Sequence, residues 1–443
     1  MAKILITFYQ TLIDESKNNA LICYYESLAN ELKNCGNEVL FLNMAYLPTE
    51  KIKSCLKFAT EKIKEFSPDV IFTFNNRITK EIIDVTNCPI CLFEADCADF
   101  FVNAQLIKTN LDRYYLINFY NDYLLDKYLS LGFEKNKICT INQATSVKNE
   151  KLEKINNISF IGTKFESLNG GYFFPEIDKN KYFKLYSEYL KNNYKNYPKL
   201  EEFCLNFVDN ELNAMYSMID MRLAVLNSVS DLGLKLYGVG WNKLSNENLV
   251  LKSLFDKTLK YSLKHNQDVY NSSIINLSIN HPQCRGIAFP WRCYDILASS
   301  GILISNYSKD LNEKTKKYLK IPMYHSPAEA RELCLYALNN PNYVEDIVCA
   351  SNEFIEKEGR WENNFKKIED FIGVKLINND NKKYEYKFIE FPNCKLKNKR
   401  GSKIGWGIWF ILSEIYPIKY LLSKKHIFYV REKIGQMNNY DYQ

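Results

Sequence analysis

The chain has 443 residues, 46% hydrophobic and 25% charged, with a formal net charge of +6. This length exceeds one ordinary domain, and the composition is that of a globular chain with material for two cores, not of a low-complexity or fibrous one. The charge is uneven: Asn379–Gln443 has thirteen Lys and Arg against six Asp and Glu, so the tail carries +7 and the first 378 residues −1, which excludes a nucleic-acid-binding protein with a basic body and favours a tail that meets an anionic surface.

The first half reads as strands alternating with helices. Lys3–Phe8 (KILITF) is aliphatic and β-branched and predicts a strand. Leu21, Tyr24, Tyr25, Leu28 and Leu32 recur at helical spacing and predict a helix over 20–35, stopped by Gly36. Val39–Asn43 is a strand, Ile52–Phe66 a helix ended before Pro68, and Asp69–Phe74 a strand. A short helix over Lys80–Val85 precedes strands at Pro89–Phe93, Tyr114–Asn118 and Lys137–Ile141. Such alternation implies a parallel, doubly wound sheet, assigned to residues 1–150 as an N-terminal domain. The polar, Lys-rich segment 147–156 reads as a linker.

A second α/β domain is predicted over 157–373. It opens with the strand Ile158–Ile161 and is interrupted by an aromatic-rich helical insertion over Tyr182–Val229. Leu234–Tyr237 is a strand followed by the glycine turn Gly238-Val239-Gly240. A short helix over Asp268–Ser273 leads to the strand Ile274–Ile279, a loop over His281–Pro290, a helix over Trp291–Ser299 closed by Gly301, and a strand from Ile302. This is a βαβ crossover, and such units bind ligands beyond the carboxyl ends of their strands. A loop and helix over Tyr307–Leu319, a short strand over Pro322–His325, a helix over Pro327–Leu338 and one long helical pattern over Val344–Ile368 complete the domain.

Lys375–Arg400 reads as an irregular linker leading into a tail, which is assigned to 379–443. Within it Ile404–Leu422 turns apolar, with Trp406, Trp409, Phe410, Tyr416 and Tyr420 between Lys/Arg clusters. That pattern fits a helix lying in a membrane interface, or a helical pair packed on the body or on a second subunit of a homo-oligomer. Glu414, Pro417 and Lys419 argue against a membrane span. The thirteen cysteines are dispersed and odd in number, which implies a reduced, cytoplasmic protein. Cys88-Pro-Ile-Cys91, with Cys97 close by, has CxxC spacing but no second pair, and with four histidines in the chain no metal centre is expected.

The candidate chemistry centres on the crossover. Arg292 and Asp295, three apart in the first turn of a helix, point to one side. A cation near a helix N-terminus suits a diphosphate, and an acid one turn on accepts hydrogen bonds from hydroxyls; an i,i+3 ion pair is the bland alternative. Gly238 and Gly240 allow close approach of backbone to ligand, or simply make a tight turn. His281, Arg285 and Gly286 lie in the loop facing the expected cleft, Arg285 as a second phosphate contact. Arg222 is a lone cation in the insertion and carries little weight. Ser299, Ser300 and Gly301 read as packing residues. In the first half a general base is sought after the strands: Asp14 and Glu15, then Glu94, Asp96 and Asp99. Asn75-Asn76-Arg77 fits either a phosphate or acceptor contact or a capped turn. No DxD pair follows a strand in the second half, so a metal-bridged diphosphate is not expected.

The order of these motifs carries a resemblance. Ile158–Thr163 (ISFIGT), Leu234–Trp241 (LKLYGVGW), Tyr270–Ile279 (YNSSIINLSI) and the run from Arg292 through Asp295, Ile296-Leu297-Ala298-Ser299, Gly301 and Leu303-Ile304-Ser305 to Asp310-Leu311 resemble the donor-binding half of GT-B glycosyltransferases. They are most similar to the CgeB-like group, and the similarity continues to about Phe371, covering roughly half the chain. Asp295 stands where the group usually has Glu, and Ile287 occupies the place of the first acid found in many retaining relatives. The resemblance implies two Rossmann-like domains facing a cleft, with a C-terminal helix that crosses back to brace the first. It further implies a nucleotide-sugar donor held without metal or cofactor, and an acceptor that is a glycan or lipid-linked glycan at the cytoplasmic face of the cell membrane. A non-catalytic nucleotide-sugar-binding scaffold and a nucleotide-sugar epimerase are the alternatives.

Overall fold

The computed structural model describes residues 1–9, 21–44, 52–95, 101–120, 124–162, 222–238, 241, 249–257, 262–280, 284, 287–378 and 385–389. Two wholly parallel sheets organise them. The first has the order β12-β2-β1-β3-β4-β5-β6, built from β1 (Lys3–Phe8), β2 (Glu38–Asn43), β3 (Val70–Phe74), β4 (Ile90–Phe93), β5 (Tyr114–Asn118), β6 (Ile138–Thr140) and β12 (Lys387–Phe388). The second runs β11-β10-β9-β7-β8, from β7 (Asn156–Ile161), β8 (Leu234–Tyr237), β9 (Ser273–Ser278), β10 (Ile302–Asn306) and β11 (Met323–Tyr324).

Continuous apolar runs become these strands because both faces are covered by helices. Along β1, Ile4, Ile6 and Phe8 face a core shared with the helix Cys23–Asn34, while Leu5 faces the opposite core beneath the helices Ile52–Phe66 and Lys80–Asp84. In the second sheet Ile302 and Ile304 pack toward the helix Pro327–Asn339, and Leu303 toward the helices Arg292–Leu297 and Pro341–Glu358.

The long helical pattern expected over Val344–Ile368 is two helices, Pro341–Glu358 and Trp361–Ile372. The break falls at Gly359 and at Arg360, whose backbone is extended (φ −96°, ψ 146°). Periodicity survives the break because each helix has its own apolar stripe. The first packs Phe354 and Ile355 on the second sheet; the other places Trp361, Phe365, Ile368 and Ile372 in the core of the first. The return of the chain to brace the first half is thus observed. The segment expected to be irregular after Lys375 also departs from expectation. β12 adds to the edge of β2, with Lys387 beside Leu40 and Phe388 beside Phe41, and the Phe388 ring stacks on Phe41 at 5.3 Å. The insertion's residues 222–228 are helical; most of the insertion and residues 390–443 of the tail lie outside the described residues.

Among the described residues the chain passes between the two halves at one place. Residues 141–147 cross from the first sheet toward the second, and Gly359–Arg360 cross back. The crossings bond to each other: the Thr145 amide donates to the Gly359 carbonyl (3.0 Å), and Arg360 Nη1 donates to the carbonyls of Thr145 (3.1 Å) and Val147 (2.7 Å). Ser27, on the helix Cys23–Asn34, binds both, accepting from the Ser146 amide (3.0 Å) and from Trp361 Nε1 (2.8 Å).

Gly301 turns the chain from the Arg292 helix into β10, and the packing role read for it is borne out. A Cβ there would lie 2.6 Å from the Ser273 carbonyl oxygen and 2.7 Å from that of Tyr270. Backbone atoms do not move aside, so Gly301→Ala should cost about 1–3 kcal/mol, read as a lower urea midpoint at unchanged slope; an unchanged midpoint would contradict this packing.

Candidate functional site

β7, β8 and β9 end together at the rim of the second sheet that faces the first. The close approach of β8 to β7 there requires glycine. Gly238 has φ +112°, and an added Cβ would meet the Gly162 carbonyl oxygen at 2.2 Å. The same carbonyl accepts from Trp241 Nε1 at 2.9 Å. Gly238 is therefore tied to strand-end packing, whatever it offers a ligand.

Arg292 begins the six-residue helix Arg292–Leu297. Its guanidinium lies over the Phe160 ring of β7, 5.9 Å from the centroid, and the Arg222 guanidinium lies over the same ring at 5.3 Å. Arg222 Nη2 donates to the Ile279 carbonyl, just past β9, at 3.2 Å. Two cations thus converge where strand ends meet. Burial lowers the Arg222 pKa to about 9, with the like charge of Arg292 adding to the effect. Arg292 Nη1 is buried without a hydrogen-bond partner. A donor left in that state costs about 1–3 kcal/mol, more when charged, unless something binds it. The arrangement is suited to an anion, and side-chain charge outweighs the dipole of so short a helix.

Asp295 parts company with Arg292, and the two form no hydrogen bond. Asp295 Oδ1 instead accepts from the Thr145 hydroxyl at 2.5 Å, on the outgoing crossing. Burial raises its carboxyl to about 6, against the opposing pull of the Thr145 hydrogen bond, Arg292 and Arg360.

Between the halves lies a cavity of about 370 Å³. From the first half it is lined by Tyr9, Ile22, Tyr25, Phe74, Asn75, Arg77, Ala95 and Tyr120, which sit past the ends of β1, β3, β4 and β5 or open the first helix; from the second come Cys284, Phe289, Pro290 and Trp291. Trp291 is stacked on Tyr24 (centroids 3.3 Å, planes at 23°) and edge-on to Phe119. Phe289 is stacked on Tyr294, 5.6 Å away. Lys314 reaches across the cleft from the helix Lys309–Thr315, donating to the Phe119 carbonyl at 2.6 Å while paired with buried Asp310 at 2.8 Å.

The first-half candidates divide. Asn75 and Asn76 both have positive φ (51° and 57°), so this is a tight turn. Asn76 is internal, donating to the Val102 carbonyl and accepting from the Tyr114 hydroxyl. Asn75 and Arg77 face the cavity, with Arg77 over the Tyr9 ring at 4.8 Å. Glu94 is fully buried and accepts from the Tyr128 hydroxyl, as a core acid beside the cavity and not in its lining. Asp14, Glu15, Asp96, Asp99, Gly240, His281, Arg285 and Gly286 lie outside the described residues. Sequence reasoning gave too little weight to Arg222 and passed over Thr145 and Trp291 as contributors. Arg222 and Thr145 have no local signal, since their partners Phe160 and Asp295 are 62 and 150 residues away. A Trp directly after Pro290 at the mouth of a cleft was a usable sign.

No family model matches the sequence, and no curated protein matches it. Solved structures do. The structure of HepE from Anabaena in complex with UDP-glucose superposes with a TM-score of 0.50 at 8% identity, over 84% of this chain and 100% of that one. Sucrose-phosphate synthase from Thermosynechococcus elongatus gives 0.49 at 12% identity, over 82% and 96%. Two facing, parallel, doubly wound sheets bridged by a double crossing are the GT-B fold, and this chain has it.

The Asp295 pKa fixes a sign. Its folded-state value lies above the unfolded one of about 3.9, so its contribution to stability is fully present below pH ~4 and is lost as pH rises through 6. Asp295→Asn should therefore stabilise the fold progressively between pH 5 and 8, by on the order of 2 kcal/mol at the upper end. Unfolding midpoints of both forms at the two pH values give the test; an equal difference at each would sink it.

Proposed function

We propose that the protein is a GT-B glycosyltransferase. It moves a sugar from a nucleotide-sugar donor to a bacterial surface glycan, capsule or lipooligosaccharide, without a metal ion. The observation that carries this reading is the convergence of Arg292 and Arg222 on Phe160, with Arg292 Nη1 buried and unbonded. A diphosphate there would be held between two guanidiniums, which match its oxygens in bidentate geometry and neutralise the charge that builds as the sugar leaves. The Anabaena structure of the same fold was solved with UDP-glucose, which supports a donor of that class. Gly240, His281, Arg285 and Gly286 follow the same strand ends in sequence and complete the donor side.

The acceptor takes the cavity opposite. Aromatic faces of Tyr9, Tyr25, Tyr120 and Trp291 suit the apolar faces of sugar rings, and Asn75 and Arg77 supply polar contacts. The base is drawn from Asp14, Asp96 and Asp99, which follow β1 and β4 in sequence. Closure of the halves excludes water and limits donor hydrolysis. The tail, basic and aromatic, meets the anionic inner face of the membrane, where a lipid-linked acceptor would lie. No helix among the described residues is long and apolar enough to cross a membrane.

Calorimetry with UDP, GDP, ADP and CDP, without divalent metal, is the first test. One of them should bind the wild type, and Arg292→Ala should lose about 30-fold in affinity, on the order of 2 kcal/mol. Equal binding by the mutant would overturn the donor site, and turnover of a nucleotide-sugar separates an enzyme from a silent scaffold. Because β12 belongs to the first sheet, the tail is best removed after Ile389. That truncation should keep nucleotide binding and lose binding to phosphatidylserine-containing vesicles; undiminished vesicle binding would rule the membrane role out.

A further inference from the structure

We propose that Asp295 is a positioning residue that latches the Arg292 helix to the crossing between the halves through Thr145, and does not itself hold the donor's hydroxyls. This rests on the donor-site reading above and gives the helix's acid a different task.

The geometry is specific. Asp295 lies one turn from Arg292 on the same short helix, and its Oδ1 receives the Thr145 hydroxyl at 2.5 Å. Thr145 is fixed from both sides. Its hydroxyl oxygen accepts from the Val147 amide at 3.0 Å, its amide donates to the Gly359 carbonyl at 3.0 Å, and its carbonyl accepts from Arg360 at 3.1 Å. The next residue, Ser146, is bonded through backbone and side chain to Ser27 of the first half. A path of direct hydrogen bonds therefore runs from the helix that carries the phosphate-binding arginine to both strands of the hinge and on to the first half. Around it the seam is held by the stacking of Trp291 on Tyr24, by Gln143 Nε2 donating to the Phe289 carbonyl at 2.9 Å and by Asn266 Nδ2 donating to Cys23 Sγ at 2.9 Å, none of which touches the Arg292 helix through its acid. An acid held there keeps the helix from rolling and sets the direction of Arg292. It also explains why a shorter acid than Glu serves: the partner is in contact, and a longer arm would press into Thr145.

The test uses the full-length protein in four forms: wild type, Asp295→Ala, Thr145→Val and the double mutant. Two readouts are taken. In calorimetry with whichever of UDP, GDP, ADP and CDP binds best, each single change should weaken binding about 10-fold. The double mutant should weaken it no further, because both break one bond; Thr145→Ser, which keeps the hydroxyl, should recover most of the loss. In small-angle scattering both single mutants should show the same increase in radius of gyration as the hinge loosens. Weaker binding in Asp295→Ala with wild-type binding in Thr145→Val, or losses that multiply in the double mutant, would make Asp295 a direct ligand contact and overturn the latch. If no nucleotide binds the wild type, the donor-site reading fails, and scattering alone decides the latch: unchanged dimensions in both single mutants refute it.

Discussion

The pairing of the two interdomain crossings is the constraint on which the rest of this structure depends. Either crossing alone would be a flexible tether. Bonded to each other through Thr145, Gly359 and Arg360, and to the first half through Ser27, they form a double-stranded joint. Fixing the joint fixes which rims of the two sheets face one another. That in turn brings the carboxyl ends of β1, β3, β4 and β5 opposite the segment that follows β9, so that residues from both halves line one cavity.

The cleft is asymmetric in its chemistry, and the asymmetry follows from what each rim buries. The first half offers aromatic rings with few charges. The second offers two guanidiniums on one phenyl ring, an arrangement that is unfavourable when empty and favourable when an anion arrives. A site of this kind keeps its cost in the unliganded state and recovers it on binding, so affinity is selective for charge. Lys314, paired with buried Asp310 and bonded to the Phe119 carbonyl, spans the cleft directly.

Much of the fold was legible in the sequence because it is carried by short-range signals. β1, β5 and β8 have the bounds that their apolar runs predict, and so does the helix Ile52–Phe66. The alternation of elements was enough to expect parallel sheets. What was not legible depends on contacts distant in sequence. The break at Gly359 hides inside a continuous periodicity, because two successive helices each present an apolar stripe to a different sheet. β12 is two residues long, and only the exposed edge of β2, more than 340 residues earlier, makes it a strand. At the site, Arg292 was visible through its motif, whereas Arg222 is meaningful only through the Phe160 ring it shares. Asp295 was visible as an acid on the right helix, but the bond to Thr145, 150 residues away, gives it a different orientation from the one that spacing implies.

β12 has a mechanical consequence. It runs parallel to β2 at the edge of the first sheet, and its Phe388 ring is anchored on Phe41. At Ile389 the described chain is therefore rooted in the first half. A pull on that end of the chain is taken first by the edge of the first sheet. The second half meets the first through the double crossing and along a seam where Trp291 stacks on Tyr24 and Lys314 bonds to the Phe119 carbonyl. A shift of the second half about the double crossing would leave this edge strand in place.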